Sequence, residues 1–141
     1  AMPLSIPSVL DAGASDLATV FLVAPTTTPA RARQIAEASG GFIYYISLKG
    51  VTGARDALPS DLERRVRELK AMTDKPVAVG FGVSTPDQAR AIAAFADGVV
   101  VGSALVKLID AHAGADDFAA RVTDFARAMT EAARAGEPQK R

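Results

Sequence analysis

Four times in 141 residues a β-prone apolar run gives way to a stretch with helical caps or helical periodicity. Such alternation dictates a parallel sheet with right-handed crossovers. The runs begin at about residues 19, 42, 76 and 98: Thr19 to Ala24, Phe42 to Ser47, Pro76 to Gly80 and Gly98 to Val101. The first is continuously apolar and closed by Pro25, the pattern of a strand buried on both faces. Thr28-Pro29 then supplies an N-cap hydroxyl and a proline at the first helical position, for a helix to about Ser39-Gly40. A second helix is expected over about Pro59 to Met72, where Leu62, Val66 and Leu69 share one face. Thr85-Pro86-Asp87-Gln88 is a capping box for a third, ending near Phe95. A fourth is expected over Ser103 to about Ala111. A last helix, about Asp116 to Ala135, spaces Phe118, Val122, Phe125 and Met129 along one side. The division expected is a leader or degenerate element at 1–16, a βα domain at 17–135 and a polar tail at 136–141, with Ala1-Met2 taken as a cloning remnant.

Three of the strand ends are marked by glycine: Gly50-Val51-Thr52-Gly53-Ala54, Gly80-Phe81-Gly82-Val83-Ser84 and Gly102-Ser103-Ala104. Glycine there lets a phosphate approach backbone N–H groups, and the helix that follows presents its positive end. Charge does not supply an alternative grip. Sixteen basic residues balance sixteen acidic ones, so no excess positive field exists to hold nucleic acid or an anionic membrane. No cysteine occurs, which removes disulfides and thiolate metal sites and points to the cytoplasm. Apolar stretches stop well short of the roughly twenty residues of a membrane helix. At 49% hydrophobic and 23% charged residues the chain has enough apolar material for one packed core. His112 stands alone without a second ligand-like group, and no metal or cofactor is expected.

These glycine motifs, with the strands before them, resemble the C-terminal half of the tryptophan synthase alpha subunit, strands five to eight of a (βα)8 barrel, over roughly Leu17 to Leu108. The resemblance implies a lyase of tryptophan biosynthesis that cleaves indole-3-glycerol phosphate beside a pyridoxal-phosphate β subunit. By motif, Gly53, Gly82, Gly102 and Ser103 would hold the substrate phosphate. Phe81 would lie beside the substrate and Tyr44 would reach it from the sheet. Thr52 would belong to the mobile loop that closes over the site. Tyr44 and Tyr45 alternate across the sheet, so only one of them can face a barrel interior.

The family's catalytic glutamate and aspartate lie in the first half of the barrel. About eighteen residues precede the first strand here, against about thirty for each βα unit. No position inherits either carboxylate. The strand ends at Pro25-Thr26-Thr27, Leu48-Lys49-Gly50, Gly80-Phe81-Gly82 and Gly102-Ser103 contain no acid, and general acid–base cleavage needs a donor and an acceptor in reach of the substrate. The expectation is a phosphate-binding portion that is inactive alone; a βα scaffold without a specific ligand and an enzyme complemented by the missing half are the alternatives. The fold expected is α/β: a parallel sheet of four βα units, arranged as a half TIM barrel or as an open flavodoxin-like sheet, with a C-terminal helix. Four units leave free edges and an open apolar face. Self-association, flattening into a doubly wound sheet and pairing with the first half of a barrel would each cover them.

Overall fold

The computed structural model describes residues 17–47, 58–80 and 82–138. Strands β1 (Leu22–Val23), β2 (Ile43–Ile46), β3 (Val77–Gly80) and β4 (Gly98–Val99) alternate with helices α1 (Pro29–Ala38), α2 (Leu62–Ala71), α3 (Pro86–Ala93) and α4 (Ser103–His112). A longer helix, α5 (Phe118–Gly136), follows. Each strand pairs in parallel with the next, and the spatial order β1-β2-β3-β4 is the chain order. Every crossover therefore steps in one direction, as around a TIM barrel, whereas a doubly wound sheet reverses direction partway.

Register sorts the strand residues into two faces. Val23, Tyr45, Val79 and Val99 form one row, and Leu22, Tyr44, Ala78 and Gly98 form the next. Successive residues point to opposite sides of a strand. Val23, Tyr45 and Val79 are buried, together with Ile43 and Val77 of the same face. They pack against Ala32 and Ala36 of α1, Leu62, Val66 and Leu69 of α2, Ala89 and Ile92 of α3, and Met129 and Ala132 of α5. Burying each of the larger aliphatic side chains contributes about 1.5–3 kcal/mol. On the opposite face Leu22 is 54% exposed, and Tyr44, Ile46, Ala78 and Val100 are half-buried. The buried hydrophobic core lies on the helical side of the sheet.

The helix starts follow their caps. Thr28 accepts from the Arg31 N–H at 3.3 Å, with Pro29 at the first position. In the capping box the Thr85 hydroxyl accepts from the Gln88 N–H at 3.3 Å, and the Gln88 carbonyl oxygen accepts from the Thr85 N–H at 3.2 Å. α2 begins at Leu62 rather than Pro59, because Pro59 and Asp61 form the preceding turn and Asp61 gives its carboxylate to Arg65 at 2.7 Å instead of capping. The first strand is ladder-paired only at Leu22–Val23, shorter than the apolar run, since Pro25 has no N–H and the next residues turn. α5 buries Met129 and Ala132 and half-buries Phe118, Val122 and Phe125. At its end a Cβ on Gly136 would collide with the Arg90 carbonyl, so α5 and α3 meet there at backbone distance.

The amino end of the sheet is tied by side chains. Buried Ser39 accepts from the Phe21 N–H at 3.0 Å and donates to the Phe42 carbonyl at 2.7 Å, joining the approaches to β1 and β2. Lys75 donates to the Ala36 and Glu37 carbonyls at 2.6 and 3.0 Å, which satisfies the end of α1. Asp97 accepts from Lys70 at 2.7 Å and from the Val77 N–H at 2.9 Å, joining α2, β3 and β4.

Candidate functional site

The carboxyl ends of β3 and β4 sit side by side. Val79 pairs with Val99, and Gly82 and Gly102 each follow their paired residue by three positions. Gly82 has φ +80°, a left-handed conformation that an L side chain adopts only with strain. A Cβ built on Gly82 or on Gly102 would meet nothing within 4 Å, and both residues are exposed. Open space, rather than tight packing, surrounds the two backbones.

Gly102 is the N-cap of α4 and contributes no side-chain hydrogen bond; Ser103 follows as the first helical residue and is exposed. The first intrahelical bond there is donated by the Val106 N–H to the Gly102 carbonyl at 3.1 Å. The N–H groups of Ser103 to Leu105 are thus left to solvent or a ligand at the positive end of the helix. α1 and α3 fill the same positions with Thr28 and Thr85.

Tyr44 projects from the open face and Tyr45 from the helical one, which settles which tyrosine faces the interior of a barrel-type sheet. The Tyr44 ring runs toward the carboxyl end and lies over Gly80; a Cβ there would collide with the Tyr44 hydroxyl and come within 3.2 Å of the Val100 Cβ. Motif reading counted Gly80 among the strand-end glycines but assigned it no contact of its own. The signal for it is a glycine inside a strand beside an aromatic residue on the neighbouring strand, which marks a close approach.

Tyr45 is held differently. Burial pushes its hydroxyl above the usual tyrosine pKa, with Arg65 partly opposing that shift. Arg65 also donates to the Pro25 carbonyl at 3.1 Å, tying the turn after β1 to the start of α2. Its hydrogen bond is the main reason why the Asp61 carboxyl titrates below its usual range. None of residues 24–27, 82–85 and 100–103 at the described strand ends is acidic.

The structure therefore brings Gly82, Gly102, Ser103 and Tyr44 to one end of the sheet. Thr52, Gly53 and Phe81 lie outside the described residues. No group of three His, Asp or Glu among the described residues could hold a metal ion. None of the described helices is long and apolar enough to cross a membrane.

Parallel units wound in one direction, with open glycines at the carboxyl ends of two adjacent strands, define a TIM-barrel-type α/β protein. A family model for the tryptophan synthase alpha chain matches residues 7–134, and the chain belongs to that family. It is 50% identical over 107 residues to the tryptophan synthase alpha chain of Geobacter sp. (strain M21), covering 74% of this chain and 40% of the relative. It is 46% identical over 127 residues to that of Rhizorhabdus wittichii, covering 90% and 46%. Mycobacterium tuberculosis tryptophan synthase superposes with a TM-score of 0.76 at 38% identity, over 95% of this chain and 49% of the solved one. The chain spans less than half the length of each of these relatives.

Proposed function

We propose that this chain is the phosphate-holding half-barrel of a tryptophan synthase alpha chain and that it binds a phosphate ester of the indole-3-glycerol phosphate type at the carboxyl ends of β3 and β4. The observation that carries the reading is the uncapped start of α4 at Gly102, beside an equally open Gly82. A phosphate there accepts from the N–H groups of Gly82, Gly102 and Ser103 and from the Ser103 hydroxyl, without requiring a cation. By resemblance to the family, we also assign Gly53 to the phosphate, Thr52 to the loop that closes over the family's site, and Phe81 and Tyr44 to the organic part of the ligand.

Carbon–carbon cleavage needs a proton donor and acceptor aimed at the substrate, and the strand ends offer neither. The chain alone releases no indole. The lyase activity of the family, and its partnership with the β subunit in the cytoplasm, return only when the first four βα units are supplied. Isothermal titration with glycerol 3-phosphate tests the binding half of this reading. Saturable binding that Gly102→Val abolishes is the expected result, since the new side chain fills the cradle. Equal affinity in the variant, or no binding by the parent chain, would favour a scaffold whose glycines serve only turns.

A further inference from the structure

We infer that Gln88 is a positioning residue for the phosphate site, a role that rests on the function proposed above. From within α3 its side chain fixes the residues that follow Gly82, so that the glycine stands ready for a ligand that Gln88 itself does not touch.

Gln88 is polar yet only 6% exposed, on the side of α3 that also buries Ala89, Ile92 and Ala93. Burying an amide is costly unless its polar atoms are hydrogen-bonded. A capping box asks one bond of this side chain, from the N-cap N–H, and the Thr85 N–H donates that bond to Oε1 at 3.2 Å. A shorter bond comes from outside the helix. The Ser84 N–H donates to the same oxygen at 2.9 Å, and the Ser84 hydroxyl lies 3.4 Å from it. Starting α3 requires only the bond from Thr85; the one from Ser84 reaches back toward Gly82.

Val83, between Gly82 and Ser84, is fully buried in the core. The two residues after Gly82 are therefore held, one by packing and one by hydrogen bonding, and Gly82 enters them at φ +80°. No acceptor among the described residues takes the Gly82 N–H. Glycine has more conformational freedom to lose than any other residue. A glycine that must present its N–H to a ligand therefore binds more tightly when its neighbours fix it beforehand.

The same bonds decide which donors a phosphate meets. The N–H groups of Ser84 and Thr85 are taken up by Gln88, so that of these three residues only Gly82 keeps its N–H for a ligand. At β4 no side chain plays this part, since α4 starts at Gly102 without a side-chain cap. Gln88 thus gives the cradle its fixed wall.

Two variants separate this role from plain helix capping. Gln88→Met keeps the length of the side chain and removes the acceptor. Thr85→Ala opens the other half of the same capping box and leaves the Ser84 and Thr85 N–H bonds to Gln88 in place. Each is read on the 141-residue chain by amide NMR of residues 82–85 without ligand and by isothermal titration with glycerol 3-phosphate. Gln88→Met should lower the order of the Gly82 amide and weaken binding at least about tenfold, the equivalent of one backbone residue left free. Thr85→Ala should change neither. Equal effects of the two variants would reduce Gln88 to a helix cap and overturn the inference. So would an unchanged Gly82 amide in Gln88→Met, or parent affinity despite a disordered Gly82. A parent chain that binds no glycerol 3-phosphate would defeat the function proposed above, and the ligand-free order of Gly82 would then decide by itself whether Gln88 holds it. If Gln88→Met does not fold, hydrogen exchange of the parent decides: the Ser84 amide should be protected although the residue is exposed, and open exchange there rejects the tie.

Discussion

The two ends of the sheet are built on opposite rules. At the amino end, polar side chains tie neighbouring segments together: Ser39 joins the approaches to β1 and β2, Lys75 holds the last carbonyls of α1, and Asp97 links the Val77 N–H to the Lys70 side chain. At the carboxyl end Gly82 and Gly102 stand in open space and α4 begins without a side-chain cap. Barrel-type proteins place stability at the first end and chemistry at the second. Helix direction explains the division, because every crossover helix brings its positive amino end to the carboxyl ends of the strands. Capping all of those ends with side chains would leave nothing for a ligand.

Substitutions at the two ends should therefore separate binding from stability. The largest effect expected is that of Gly102→Val on phosphate affinity, a loss of about 2 kcal/mol or more, or thirtyfold. Its φ of −117° is not left-handed and the space around it is open, so stability should fall by no more than the roughly 1 kcal/mol of a weaker N-cap. A loss of stability as large as the loss of affinity would break the contrast. Ser39→Ala works in the other sense: it removes the side-chain partner of the Phe21 N–H and the Phe42 carbonyl, both only partly buried, and should cost about 1–2 kcal/mol in denaturant unfolding. Phosphate affinity at temperatures where the variant is folded should stay at the parent value.

Asp97→Asn should cost about 1 kcal/mol, since the amide still accepts from the Val77 N–H while the Lys70 pair is lost. This effect depends on pH. Partial burial pushes the Asp97 carboxyl up, but the hydrogen bonds from Lys70 and Val77 outweigh it and hold the group below its usual range. A carboxyl depressed in the folded state stabilises fully above its unfolded value of about 3.9, and that contribution is lost as pH falls through the folded value. The gap between parent and variant should hold near neutral pH and shrink below about pH 4. A gap that persists unchanged into acid would assign the loss to packing instead. The smallest effect belongs to Thr85→Ala, about 1 kcal/mol or less, because Gln88 keeps its bonds to the Ser84 and Thr85 N–H groups.

The order of elements was legible because each of its signals is local. Thr28-Pro29 and Thr85 through Gln88 mark helix starts by hydrogen bonds within one turn, and the structure begins α1 and α3 there. Winding was not legible: apolar runs fit a sheet covered on both faces as well as one rolled toward a barrel, and only the order β1-β2-β3-β4 with one-sided packing separates the two. The glycine motifs singled out Gly82, Gly102 and Ser103, which the fold brings to one end of the sheet and which the proposed function assigns to a phosphate. Gly80 stood in one of those motifs, but its role under the Tyr44 ring was not legible, because that constraint comes from another strand. The ties at the amino end were equally hidden. Ser39, Lys75 and Asp97 act across 18 to 39 positions of sequence, and isolated serines, lysines and aspartates carry no pattern that announces such contacts.

The most direct test of the division is an amide NMR titration of the chain with glycerol 3-phosphate. Saturable shifts at Gly82, Gly102, Ser103 and Ala104, with the amides of Phe21, Lys75 and Val77 unmoved, are the result expected of a ligand end set on a rigid stabilising end. Shifts spread evenly over both ends, or none at the glycines, would contradict it.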